Sequence, residues 1–387
     1  MDHYVTDDYD MNNIEDFDIE DGVLKKYNGS GGDVEIPDGV TSIGPFVFFG
    51  CTSLNSITLP EGLMSIGSFA FYGCSSVTRV VIPKGVRSIG EKSFSDCRNL
   101  SSVMIPEGVT SIGKEAFRGC HSLSNVVLPK EAPSIGEGAF SGCKKLADSN
   151  GFVIFDGCPV LFGYYGPGGD VVIPEGVTRI DAYAITWNDR IISVTIPEGT
   201  TSIGTGAFSG CKGLKSITIP DSMTSIGEMA FQLCRSLTRV VVPEGVTNIG
   251  EWTFWGCSSL CVICYTPYVA SGLCHIDKLH LIYMGDSFSE LTNRARKKVL
   301  RGFLYAQEHG ITEINRWRQS YLEYIRAHVG AFIGDAKKNR FIRMFLMREG
   351  LLDENGSELL LKFQLEKLRQ GEDVGGPLKI TITQCEE

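Results

Sequence analysis

Ile105-Pro106-Glu107-Gly108-Val109-Thr110-Ser111-Ile112-Gly113 is followed by Ala116-Phe117, Gly119-Cys120 and Leu123, and near copies stand on either side of it. Pro37, Pro60, Pro83, Pro106 and Pro129 are each 23 residues apart; after one longer gap, Pro174, Pro197, Pro220 and Pro243 resume the same step. A fixed period of this length marks a stacked repeat, because one unit cannot bury its apolar side alone while a stack buries a continuous column. The spacing predicts a repeat solenoid of about nine 23-residue coils over residues 23–265.

The coil that opens at Leu54 shows the grammar. Leu54, Ile57 and Leu59 have the spacing of a short strand with alternate side chains inward. Pro60 follows at the strand end, where a missing N–H does least harm. Gly62 makes a turn, Leu63 and Ile66 sit on a second extended piece, and Gly67 turns again. Around Ala70 and Phe71 a short helical turn is expected, with Phe71 inward. Phe48, Phe71, Phe94, Phe117, Phe140, Phe208, Phe231 and Phe254 are expected to form one internal ladder. Coils stacked at roughly 4.8 Å give a length on the order of 45 Å.

These motifs resemble the BspA-like (treponemal-type) leucine-rich repeat family of bacterial surface antigens and some protist surface proteins. The resemblance extends to two longer interludes, Asp21-Gly22-Val23-Leu24 to Gly31-Gly32-Asp33-Val34, and Phe155-Asp156-Gly157 to Gly168-Gly169-Asp170-Val171. Each leads into an Ile-Pro-x-Gly-Val-Thr motif, so the chain carries a duplication of two unequal arms. The coil after Pro174 departs from the pattern: Ile185 takes the Phe place, Asn188 the Cys place, and Asp181 replaces the usual glycine. It reads as a re-start. The resemblance implies a solenoid of short parallel strands and, for displayed relatives, host or extracellular-matrix ligands.

Composition agrees with a cored protein: 43% of residues are hydrophobic and 21% charged, enough apolar material for a solenoid and a second region. No run of about 18 apolar residues occurs, so no membrane insertion is expected. Cys51, Cys74, Cys97, Cys120, Cys143, Cys211, Cys234 and Cys257 hold one place in successive coils, and a ladder of reduced, buried thiols is expected, which favours a reducing compartment. Cys261-Val262-Ile263-Cys264, with Cys257 before it and Cys274-His275 after, has ligand types that hold zinc. Alignment with Leu237–Val242 instead places Leu260, Ile263 and Tyr265 inward, with Cys261 and Cys264 flanking, so the stretch reads as a structural end coil.

Gly108 to Lys114 fits a phosphate-binding loop until Glu115 stands where a hydroxyl would hold magnesium, and its glycines recur in nearly every coil. The six His residues form no legible nucleophile–base set, and the abundant serines belong to the repeat. No catalytic residue, metal or cofactor is predicted, and the chain reads as non-enzymatic.

From about Ser287 helical spacing replaces the repeat. Leu291, Ala295, Val299, Leu300, Phe303 and Leu304 make one apolar stripe, and further stripes include Trp317–Val329, Ile333–Leu346 and Leu359–Leu368. The expected organisation is an acidic lead (1–22), the solenoid (23–265), a transition (266–286), a small all-α C-terminal cap (287–371) and a tail (372–387) with a strand-like stretch, Leu378–Thr383. Residues 287–371 hold 16 Lys+Arg against 10 Asp+Glu, so their +6 leaves −16 on the remainder of a chain whose net charge is −10. That acidic remainder argues against a nucleic-acid partner. The first 22 residues hold nine acidic groups and no Lys or Arg, the reverse of a secretory signal, so cytoplasmic location is expected, with the cell surface as the alternative implied by the resemblance.

A partner surface is expected on the outward strand positions: Ser56 and Thr58, Arg79 and Val81, Ser102 and Met104, and Asn125 and Val127 in the first arm. In the second arm they are Ser193 and Thr195, Ser216 and Thr218, and Arg239 and Val241. This short-chained, mildly apolar row suits a protein or extended peptide ligand. A protein-interaction scaffold is the first reading and a cell-surface adhesin or antigen the alternative.

Overall fold

Each coil closes around its own apolar residues and bonds to the copies before and after it. The computed structural model describes residues 14–131, 133–258, 260–273, 279–284 and 290–308, with Tyr321, Leu322 and Met347. Ser-Ile pairs of the motif form two-residue strands in parallel register: Ser42, Ser65, Ser88, Ser111 and Ser134 are successive partners, as are the isoleucines that follow them. The isoleucines are buried and the serines stand at the surface. Each arm starts with an antiparallel hairpin, Phe17–Glu20 with Val23–Tyr27 and Phe152–Phe155 with Cys158–Tyr164, to which the parallel strands are added. A hairpin covers an edge that would otherwise expose core and strand polar groups.

The second hairpin also divides two cores. Val153, Val160 and Phe162 join the core of the first arm, while Phe152, Leu161 and Tyr164 join that of the second. Burial on both faces explains the unbroken run Val160-Leu161-Phe162. It also changes the phenylalanine ladder. Phe48, Phe71, Phe94, Phe117 and Phe140 stack with ring centroids 5.1–5.4 Å apart. Phe155 and Phe162 then meet Phe140 edge-on at 72° and 81°, ending the stack. It resumes as Phe208, Phe231 and Phe254. There are two ladders, where the period alone had predicted one, because aromatic residues of the hairpin stand across the gap.

The expected helical turn at Ala70–Phe71 is a run of tight turns. Phe69 has φ 59° and Gly73 φ 73°, both left-handed. Phe69, Phe71 and Gly73 donate their N–H groups to Glu91, Ser93 and Ser95 of the next coil at 2.7–2.8 Å, while Ala70 and Tyr72 donate within the coil to Gly67 and Phe69. A right-handed helical turn would keep every N–H on its own axis. Flipping alternate peptides sends half of them along the solenoid instead. Left-handed non-glycine residues cost of order 1–3 kcal/mol each, and the inter-coil hydrogen bonds offset that strain.

At the arm junction a backbone carbonyl is twice replaced by a side chain. In regular coils Glu115, Phe117 and Gly119 donate to Glu137, Ala139 and Ser141 of the next coil. After them, the Gly138 N–H donates to Asp181 Oδ2 at 3.0 Å and the Gly142 N–H to Tyr165 Oη at 2.8 Å. Arg179 adds an Nη2 donation to the Ile135 carbonyl at 3.3 Å. Asp181 is buried, and burial raises its carboxyl to about 6 against the lowering effects of Arg179 and of the Ala182 and Gly138 N–H groups; Glu137 adds to the rise. Because the folded value lies above the ordinary 3.8, the folded state holds the extra proton between about pH 4 and 6, and this group's stabilisation is lost as pH rises through that window. Asp181→Asn keeps an acceptor for Gly138. It is expected to remove that slope and to raise stability at pH 7 by about 2–3 kcal/mol, read by urea unfolding at pH 4 and pH 7; an unchanged slope would contradict this origin.

The last strands depart from the alignment used above. Arg239 pairs with Cys261, Val240 with Val262 and Val241 with Ile263, a step of 22 residues; Ile263 is buried as expected, and Cys261, Val262 and Cys264 are buried with it. One residue less in the step shifts the phase of the strand against the repeat, and burial of both faces leaves no exposed row on it. Strand His280–Tyr283 pairs beyond it, and α1 (Pro267–Leu273) and α2 (Asn293–Glu308) follow the repeats. Thr292 Oγ1 caps α2 by accepting the Ala295 N–H at 3.2 Å. All six residues of the predicted first stripe are buried. Gly302 lets α2 lie directly on the strand, since a Cβ there would fall 1.8 Å from the Leu281 carbonyl oxygen. Tyr321 stacks on Phe303 at 4.6 Å and its hydroxyl accepts the Tyr283 N–H at 3.1 Å. Apart from Tyr321, Leu322 and Met347, the later stripes, the Leu378–Thr383 stretch and Cys274-His275 lie outside the described residues.

Candidate interaction surface

Alternation along the strands decides which side chains leave the core. Val80, Val103, Val194 and Val240 are buried, and the neighbours on either side point out. Of the fourteen outward positions read from the sequence, Ser102 and Ser193 are half-buried and the other twelve exposed. Their register forms two rows per arm: Ser102 is opposite Asn125 and Met104 opposite Val127, while Ser193 is opposite Ser216 and Thr195 opposite Thr218.

The structure adds members to both rows. Asp33 and Glu35 stand opposite Ser56 and Thr58, and Asp170 and Val172 opposite Ser193 and Thr195. Ser56 Oγ donates to Asp33 Oδ1 and Ser193 Oγ to Asp170 Oδ1, each at 2.6 Å. A signal for them was present: Asp33 precedes Pro37, and Asp170 precedes Pro174, by the same four residues that separate Ser56 from Pro60.

The rows are not uniform. Arg79, Val81, Ser102, Met104, Asn125 and Val127 border a groove of about 600 Å³ across three coils of the first arm. Its apolar row is open to solvent, with Val81 64%, Met104 66% and Val127 45% exposed. Glu61, Lys84 and Glu107 also border it, giving both signs of charge beside an uncharged centre.

Among the described residues, the cysteines do not line the groove; Cys51 is half-buried and the rest of the ladder is buried. Cys74, Cys97, Cys120 and Cys143 each donate an S–H to the carbonyl of the Phe 26 residues earlier, at 3.1 Å. Cys211 does the same to Ile185 at 2.9 Å. Burial pushes the thiols of Cys97, Cys143, Cys211 and Cys257 up to about 12 and raises those of Cys74, Cys120 and Cys234 as well. Since the thiolate is the reactive form, these seven are expected to resist iodoacetamide at pH 8 in the native protein and to alkylate fully in urea; peptide mass mapping would check it. Cys261 and Cys264 are buried in their strand, and among the described residues no group of three or more His, Cys, Asp or Glu is placed to hold a metal.

Comparison with protein families matches residues 18–147 and 169–293 to the BspA type leucine rich repeat region, in six copies. The chain belongs to the BspA-type leucine-rich repeat family. Of solved structures, this BspA-type chain is similar to a leucine rich cell surface protein from Faecalibacterium prausnitzii, with 26% identity, 72% of this chain and 92% of that chain covered, and a TM-score of 0.41. It is similar to a T. pallidum leucine rich repeat protein at 25% identity, covering 62% and 82%, with a TM-score of 0.33. It is also similar to the pneumococcal vaccine antigen PcpA at 19% identity, covering 70% and 85%, with a TM-score of 0.45. Comparison with curated proteins gave no match. Among the described residues, no helix of this BspA-type chain is long and apolar enough to cross a membrane.

Proposed function

We propose that this BspA-type protein is a non-enzymatic interaction scaffold whose first-arm groove receives an extended segment of a partner protein. The supporting observation is the row Val81, Met104 and Val127: three neighbouring apolar side chains, all exposed, on successive stacked coils. Contiguous exposed apolar surface flanked by polar groups marks interaction sites. The test is affinity capture from source-cell lysate with full-length wild type, Met104→Glu, and Val172→Glu as a control on the second arm. A partner retained by wild type and Val172→Glu but lost with Met104→Glu supports the groove; loss with neither or both opposes it.

The family supports an alternative, a surface adhesin or antigen binding host or extracellular-matrix proteins. The first reading places the protein in the cytoplasm and the second on the cell surface. Labelling intact cells with a membrane-impermeant biotin reagent separates them.

A further inference from the structure

Coil 179–190 breaks the repeat grammar, and two of its departures border a cavity of about 580 Å³ at the arm junction. The cavity lies where Tyr165 stands in for a missing turn, between Gly142 of the first arm and Trp187 of the second. Its volume is in the range of small-ligand sites.

Trp187 supplies an aromatic wall. It is 61% exposed, and its φ of 57° is one that Gly119, Gly142, Gly210 and Gly256 adopt at the same place in other coils. The indole rests on Gly210, where a Cβ would come within 2.5 Å of the ring. Lys212 Nζ, 5.7 Å from the ring centroid, braces it and is itself 3.3 Å from Asp189 Oδ2. The indole, packed against Gly210 and Lys212 of the next coil, also borders the cavity.

The remaining polar groups are mostly donors. Tyr165 Oη accepts the Gly142 N–H, which leaves its own proton to give. Asn188 Oδ1 accepts the Arg190 N–H at 3.2 Å, which leaves its amide NH₂. Arg190 and Lys144 are exposed cations on the rim, while the Asp189 carboxylate is occupied by the Lys212 ammonium and backbone N–H. A fitting ligand has a flat C–H face to lay on an indole, several oxygen acceptors, and negative charge. A free phosphate would leave the indole unused, and a neutral sugar would leave the cations unpaired.

We infer that the arm-junction cavity binds a carboxylate-bearing pyranose, stacked on Trp187 and held at its carboxylate by Arg190. The site is independent of the first-arm groove.

Titration calorimetry of the full chain with methyl β-glucuronide, methyl β-glucoside and uridine monophosphate tests this. The glucuronide is expected to bind at least about tenfold more tightly than the glucoside, the worth of one charge-assisted hydrogen bond. Trp187→Gly, which installs the residue found in neighbouring coils and keeps the left-handed turn, is expected to abolish glucuronide binding while circular dichroism stays unchanged. Arg190→Gln is expected to reduce the glucuronide to the level of the glucoside. No glucuronide binding, binding unaffected by Trp187→Gly, equal affinity for the two sugars, or equal affinity for the nucleotide would each overturn the assignment.

Discussion

Phe117→Ala is expected to destabilise the first arm by about 3–5 kcal/mol and to leave the second arm folded. Phe117 is fully buried and stacks on Phe94 and Phe140 at 5.4 Å on both sides. Truncation therefore opens a void with two aromatic walls, and collapse is resisted because each wall is held in its own coil by backbone bonds to the next. In a stacked repeat each unit touches only its neighbours, so damage spreads along the stack until an interface stops it. Here that interface is the hairpin Phe152–Tyr164, whose two faces belong to different cores. Hydrogen exchange read by mass spectrometry checks both claims. Amides between Ser42 and Ile135 should lose protection while those between Arg179 and Ile249 keep it. Equal loss in both arms would show that the hairpin does not separate them, and a change under about 1 kcal/mol would show that the ladder relaxes into the void.

Gly113→Ala is expected to cost at least about 3 kcal/mol, beyond the usual range for one added methyl, whereas Gly62→Ala is expected to be neutral or to stabilise by about 0.5 kcal/mol. The motif repeats both glycines, and nothing in its spelling ranks them. Geometry does. A Cβ on Gly113 would fall 2.4 Å from the Glu91 nitrogen and 2.6 Å from the Gly90 carbonyl carbon, so two coils would have to separate. Gly67, Gly90 and Gly136 face the same crowding from the preceding coil. A Cβ on Gly62 meets nothing within 4 Å, and its backbone is not left-handed. Urea midpoints of the two variants decide the matter, and similar values would mean that coil spacing is softer than close packing of backbones requires.

Much of the candidate surface was legible for one reason. A 23-residue period sets each residue over its own copy, so outward positions deduced in one coil hold in the next, and Met104 and Val127 had to be neighbours once the strand phase was known. Legibility failed where the step changed. At Cys261–Cys264 the step is 22 and the strand is buried on both faces, so Cys261 and Cys264 are as buried as Ile263 and alternation no longer separates inward from outward. Asp33 and Asp170 were overlooked because they sit in interludes outside the repeat, although each keeps its spacing to the following proline.

By itself, then, the amino-acid sequence determined the coil, its stacking, its buried residues and the outward rows, because in a solenoid the local pattern and the tertiary contact are one repeat apart. Tertiary structure alone decided where that rule lapses. Asp181 reaches Gly138 across 43 residues and Arg179 reaches Ile135 across 44. Those separations match no period, and their partners are backbone groups that look alike in every coil. The left-handed turns at Phe69 and Trp187 were hidden for a related reason: a side chain's identity does not announce φ, and the strain is tolerated only because the next coil is there to accept the redirected N–H.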